Sequence, residues 1–165
     1  MTGPRPFDPQ RLLRVLGAHG VEHVLIGGLA AALHGSPTTT NDADICPRPT
    51  SANFTRLARA LVDLDARIRT DGEPEGLTFD RSGTFLASVA LLNLVTDAGD
   101  LDIAVRPSGT AGYDELVRSA VTYELDETTV LVASLDDIIH SKESADRPRD
   151  RAVLPVLRAL RDEIS

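Results

Sequence analysis

The chain has 165 residues, 42% of them hydrophobic and 25% charged, which fits a single domain, 1–165, with a real core. No apolar stretch approaches the roughly 20 residues of a membrane span, and Met1–Pro6 lacks the apolar centre of a signal peptide. The expectation is therefore a cytoplasmic protein with no membrane partner. A net charge of −8 weighs against a nucleic-acid partner, and the lone Cys46 excludes an internal disulfide.

Taken in chain order, Asp8-Pro9 supplies a cap and a first-turn proline for a helix whose buried stripe is Leu12, Leu13 and Leu16, with Gly20 as its stop. Val21 to Ile26 reads as a short buried strand, Gly27-Gly28 as a turn and Leu29 to His34 as a short helix. A polar loop follows to Asn41, and Asp42 to Arg48 reads as a strand. Thr50 or Ser51 caps a helix that buries Phe54, Leu57 and Leu61, and residues 70–83 read as a loop.

Ala90 to Thr96 and Asp100 to Val105 flank Asp97-Ala98-Gly99 as a hairpin. Tyr113 to Ala120 reads as a helix, and Val121 to Leu125 and Thr129 to Val132 as strand pieces. Ser134 with Asp137 forms a capping box that opens a helix to about Ala145, and Pro148 starts a last helix to about Arg161. The pattern is α+β, a small mixed β-sheet flanked by helices. The sheet is placed at about 21–106 and a C-terminal helical part at about 107–165.

Asp-x-Asp occurs three times among seventeen Asp residues, at 42/44, 63/65 and 100/102. On a strand, alternate side chains face one way about 6.6 Å apart at Cα, so Asp42 and Asp44 can converge on a divalent ion that prefers hard oxygen ligands. At the end of a helix, residues two apart diverge by roughly 200°, so Asp63 and Asp65 read as solvated. Asp102, between Leu101 and Ile103, is either a third ligand or the base for an attacking hydroxyl, or it decorates a solvated face. Asp100 reads as the end of the turn.

Gly27-Gly28 is suited to phosphate oxygens at a strand-to-helix turn, although many such turns favour glycine. Sixteen of the seventeen basic residues are Arg, and the single lysine is Lys142, followed by Arg147 and Asp150. An ammonium can contact triphosphate oxygens as a point charge and an arginine bidentately, with Asp150 orienting either; the alternative is a surface lysine and an ordinary helix acid. Arg56, Arg59, Arg67 and Arg69 form one basic group, and Arg147, Arg149, Arg151, Arg158 and Arg161 another. Each is open between a solvated face and a polyanion-binding surface. The four histidines show no metal-ligand spacing, and His34 is expected to pack near the loop.

The run Gly27-Gly28-Leu29-Ala30, His34-Gly35 and Thr40-Asn41-Asp42-Ala43-Asp44 resembles the first catalytic motif of nucleotidyltransferases of the DNA polymerase β-like superfamily. More closely it resembles the AbiEii-type toxins, which include mycobacterial (MenT-like) tRNA nucleotidyltransferase toxins. Leu135 to Ile138, Lys142 and Ala145 to Asp150 are similar to that group's later motifs, and Gly99 to Asp102 falls where its third acidic strand is expected. Thr38 stands where relatives often carry Arg, and Asp146 where Gly is common.

The resemblance implies a minimal polymerase β-like fold and transfer of a nucleoside monophosphate from an NTP to an acceptor, with Mg²⁺ or Mn²⁺ as cofactor. It implies Asp42, Asp44 and Asp102 as metal ligands, with Asp102 helping to deprotonate the acceptor. Gly27, Gly28, Lys142 and Arg147 would hold the triphosphate, Asp150 would support the lysine, and Thr40 would lie beside the nucleotide as a hydroxyl that an antitoxin can modify. The implied partners are an NTP, tRNA and a protein antitoxin. A small-molecule or protein hydroxyl as acceptor, or a non-catalytic module on the same fold, are the alternatives.

Overall fold

Asp8 begins the ordered architecture by accepting a hydrogen bond from the Arg11 N–H, which fixes α1 over Pro9–Ala18. The structure is a computed structural model that describes residues 6–164; the reading of the extreme N-terminus bears on residues 1–5, outside that range. Gly20 takes φ +71°, the left-handed stop expected of it, and β1 follows at His23–Ile26, two residues later than predicted. The helix α2 starts at Gly27 itself and runs to Leu33, so the predicted turn is the helix's first turn. Thr50 caps α3 (Ser51–Asp63) after β2 (Asp42–Pro47).

The predicted loop at 70–83 is not a loop. Arg67–Thr70 (β3) and Glu73–Leu77 (β4) form a hairpin, and Ser82 caps a short helix, α4, at Gly83–Ala87. The segment alternates weakly and carries Pro74 and Gly76, which is typical of an edge strand and hides it from a periodicity reading. The hairpin of β5 (Leu91–Thr96) and β6 (Gly99–Ala104) is as expected, as is α5 at Tyr113–Ser119. The strand pieces form a second hairpin, β7 (Val121–Leu125) with β8 (Thr128–Val132). Two helices close the chain, α6 (Leu135–Ala145) and α7 (Pro148–Ile164).

All eight strands join one mixed sheet in the order β4-β3-β5-β6-β2-β1-β8-β7. Strands β1 and β8 are parallel, as are β2 and β6, and the remaining neighbours are antiparallel. The sheet therefore does not stop near residue 106: β8 pairs with β1, and the C-terminal part contributes two strands as well as helices. The architecture is α+β, as expected, but with a wider sheet.

One face of the central strands is apolar. Ala43, Ile45, Leu101 and Ile103 are buried in one core with Leu12, Leu13 and Leu16 of α1 and Leu57 and Leu61 of α3. Asn53 lies fully buried and ties α3 to the sheet. It accepts a hydrogen bond from the Glu22 N–H at 2.8 Å and donates to the carbonyls of Glu22 and Arg48 at 2.8 and 2.9 Å. Strand alternation then turns the residues between the apolar ones to the opposite face, and these are the acids.

Candidate active site

The register of β2 on β6 pairs Asp42 with Asp100 and Asp44 with Asp102. Residues directly opposite share a face, so two Asp-x-Asp sequences 58 residues apart become a two-by-two block of carboxylates. Asp42, Asp44 and Asp102 each offer an oxygen within 4.8 Å of the others, the one group of this kind among the described residues. Asp100, expected to end the turn, is in β6 at the rim of the block.

The third Asp-x-Asp shows what the strand contributes. Asp63 ends α3 and meets His19 at 2.5 Å, while Asp65 takes a left-handed φ of +49° and faces Arg67 and Arg81. The two do not converge, as expected, but because α3 ends at Asp63 and the chain turns at Asp65 rather than through helical spacing.

Burial pushes the Asp44 carboxyl up to about 7, reinforced by the charges of Asp42 and Asp102 and opposed by Lys142. Asp102 is also raised, by burial first, against the pull of the Arg69 guanidinium. Burial and like charge thus outweigh the positive charge that Lys142 brings to Asp44 and Arg69 to Asp102. The close set of hard oxygens suits a divalent cation.

Glycine is required beside the cluster for a steric reason. Gly27 has φ +73°, and a Cβ there would collide with the Asp44 carboxylate. At Gly28 a Cβ would press on the Thr40 hydroxyl at 3.2 Å. That hydroxyl donates to Asp42 Oδ1 at 3.0 Å, so Thr40 holds the first acid in place.

Lys142 comes from α6, with 18% of its side chain exposed, and faces the cluster closely enough to lower the Asp44 carboxyl. Its Nζ lies 3.8 Å from Asp150 Oδ1. Asp150 is 1% exposed and accepts from the Arg147 backbone N–H at 3.1 Å, from Nε at 2.6 Å and from Nη2 at 3.2 Å. Burial alone would raise its carboxyl; the Arg147 hydrogen bonds and charge, aided by Lys142, bring it below the usual range. Asp146 is the C-cap of α6 at φ +49°, a left-handed position that favours glycine and that Asp tolerates.

Arg69 is the residue that sequence reading left among a basic group. It reaches from β3 across β5 to donate to Asp102 Oδ1 at 2.7 Å, and its Nη1 lies 3.4 Å from Asp100. Arg67 and Arg69 at alternate positions were a signal of a strand face, obscured because the following residues read as a loop. Thr38, in contrast, is exposed, and its backbone N–H donates to the Ser36 hydroxyl oxygen at 3.4 Å.

Many arginines of the two basic groups are paired. Arg147 is held by Asp150, Arg151 by Asp146, Arg158 by Glu143 and Arg161 by Asp136. Arg67 and Arg69 face Asp65 and the β6 acids. His34, expected to pack near the loop, packs instead against the β7–β8 side, its ring edge-on to Tyr123 and its Nε2 2.8 Å from the Ala133 carbonyl oxygen.

This sheet, with acids on one face of its central strands, has the fold of nucleotidyltransferases. The chain is similar to the lincosamide antibiotic adenylyltransferase LnuA in its lincomycin-bound structure, with a TM-score of 0.61 at 12% identity over 94% of this chain and 99% of that one. It is also similar to TM1012 of Thermotoga maritima, assigned as a nucleotidyltransferase, with a TM-score of 0.54 at 17% identity over 88% of this chain and 87% of that one. No protein-family model matches the chain, and no curated protein matches it in sequence. Among the described residues no helix is long and apolar enough to cross a membrane.

Proposed function

We propose that this protein is a nucleotidyltransferase that moves a nucleoside monophosphate from an NTP to an acceptor hydroxyl and releases pyrophosphate. The observation that carries the reading is the convergence of Asp42, Asp44 and Asp102 from two strands beside the chain's single lysine. Mg²⁺, with Mn²⁺ as a substitute, would be held by these three carboxylates and would supply charge neutralisation for the triphosphate and activation of the attacking oxygen.

The chain's own residues divide the remaining work. Asp102, whose carboxyl is raised, would accept the proton of the acceptor hydroxyl. Lys142 and Arg147 present positive charge toward the cluster and so toward a bound triphosphate, and Asp150 fixes both. Thr40 positions Asp42. Gly27 and Gly28 leave room for Asp44 and Thr40, and their backbone would hold phosphate oxygens.

For the acceptor, the paired arginines and the net charge of −8 favour a small hydroxylated molecule over a nucleic acid. The likeness to LnuA, a lincosamide adenylyltransferase covered over 99% of its length, supports the same reading. The second reading is a cytoplasmic toxin that modifies the tRNA 3′ end and is neutralised by an antitoxin. It is favoured by the run from Thr40 to Asp44 taken with Lys142, Arg147 and Asp150.

Incubation of the purified chain with labelled NTPs and Mg²⁺ tests both readings, in parallel with total tRNA and with a panel of hydroxylated antibiotics. Label transfer in the antibiotic arm that Asp44→Asn abolishes supports the first reading; label on tRNA supports the second. A protein that binds neither NTP nor divalent ion sinks the enzymatic reading itself.

A further inference from the structure

Asp42, Asp44 and Asp102 are treated unequally by the rest of the molecule. Among the described residues no salt bridge joins Asp42 or Asp44, whereas Asp102 is bound by Arg69 at 2.7 Å. The guanidinium is itself anchored. Its Nη1 donates to the Leu94 carbonyl at 3.2 Å and lies 3.4 Å from Asp100 Oδ2, so three groups on two neighbouring strands fix its position. Asp102 is only 19% exposed, and a short charge-assisted bond at that burial orients it firmly. One oxygen of the third acid is therefore already held by a cation that belongs to the chain.

We propose that Arg69 serves as the resident cation of the metal-free site: it pairs with Asp102 and competes with a divalent ion for the cluster. The inference rests on the reading of the acids as a cation site and adds an order of assembly to it. With Arg69 in place, the cluster has too little free negative charge to fill tightly by itself. A triphosphate, which brings its own negative charge, restores the balance, so ion and nucleotide load together. A purely structural arginine would act in the opposite sense, because its loss would disorder Asp102 and weaken ion binding.

The test is a Mn²⁺ titration of the full chain followed by electron paramagnetic resonance, with and without a non-hydrolysable NTP analogue. Arg69→Gln should tighten nucleotide-free Mn²⁺ binding by about tenfold, the scale of one unit charge beside a dication in a well-solvated site. It should also lower the melting temperature of the metal-free protein, and the affinity difference should shrink once the analogue is present. Arg69→Lys keeps the charge and loses the anchor on Leu94, so its affinity should fall between the two; it serves as the test should the glutamine variant not fold.

Mn²⁺ binding that is unchanged or weaker in a folded Arg69 variant overturns the proposal, provided the parent binds Mn²⁺ and Asp44→Asn abolishes that binding. If the parent binds no Mn²⁺ in the presence of the analogue, the cation-site reading falls and takes this inference with it.

Discussion

Asp150 is the more deeply buried of the two carboxylates that face Lys142, yet it holds its charge more readily than Asp44 does. Around Asp150 the chain supplies three hydrogen bonds from Arg147 and the Lys142 ammonium, so burial is outweighed. Around Asp44 it supplies two more carboxylates, and burial pushes the group up to about 7. The difference separates a finished ion pair from an unfinished one. Asp150 is stable as folded and steadies its basic neighbours, whereas the Asp44 cluster keeps an excess of like charge that a bound cation would relieve.

The comparison breaks most sharply on activity. Asp44→Asn or Asp42→Asn should reduce labelled-nucleotide transfer by about a thousandfold or more, since the proposed reaction depends on an ion that these groups would hold. Calorimetry of the metal-free Asp44→Asn protein should nonetheless show no loss of stability, because a like charge has been removed.

Next in size is a pH effect on metal-free stability. The folded Asp44 carboxyl lies at about 7, above its ordinary 3.8, so the folded state binds that proton more tightly than the unfolded chain. Its contribution is therefore present at low pH and fades as pH rises from about 4 to about 7, a few kcal/mol in denaturant titrations. Asp42 and Asp102 strengthen this trend and Lys142 opposes it. Asp44→Asn should flatten the window, and Mg²⁺ should restore stability at its upper end. Asp150 runs the other way: its carboxyl is depressed, so its contribution is full above the ordinary range and is lost as pH falls below it.

Arg147→Ala should lower stability by about 2 kcal/mol in urea, toward the low side for a broken buried pair, because the arginine side chain is 52% exposed while Asp150 is not. The smallest effect sharpens the acid side. Thr40→Val removes the hydroxyl that fixes Asp42 and should cost about 1 kcal/mol, read as a severalfold loss of transfer with little change in melting temperature.

Much of this arrangement is legible in the residues. Alternation on β2 placed Asp42 and Asp44 on one face, and the end of α3 at Asp63, with Asp65 beyond it at a left-handed φ, keeps those two acids apart. The caps at Asp8, Thr50 and Ser134 also follow from local chemistry. The hairpin of β3 and β4 was hidden because Pro74 and Gly76 break the pattern that marks a strand, and Arg69 was hidden with it. The role of Thr40 beside Asp42 depended on a side-chain rotamer that spacing does not specify.

The sequence by itself determined which residues can share a face, because periodicity and capping act between near neighbours. Only the tertiary structure decided that β6 lies against β2 in the register that sets Asp102 beside Asp44, and that α6 turns Lys142 toward them. Those are pairings between residues tens of positions apart, fixed by the packing of Ala43, Ile45, Leu101 and Ile103 into one core on the sheet's opposite side. No local propensity encodes that register, and the same packing gives each buried carboxylate its charge state.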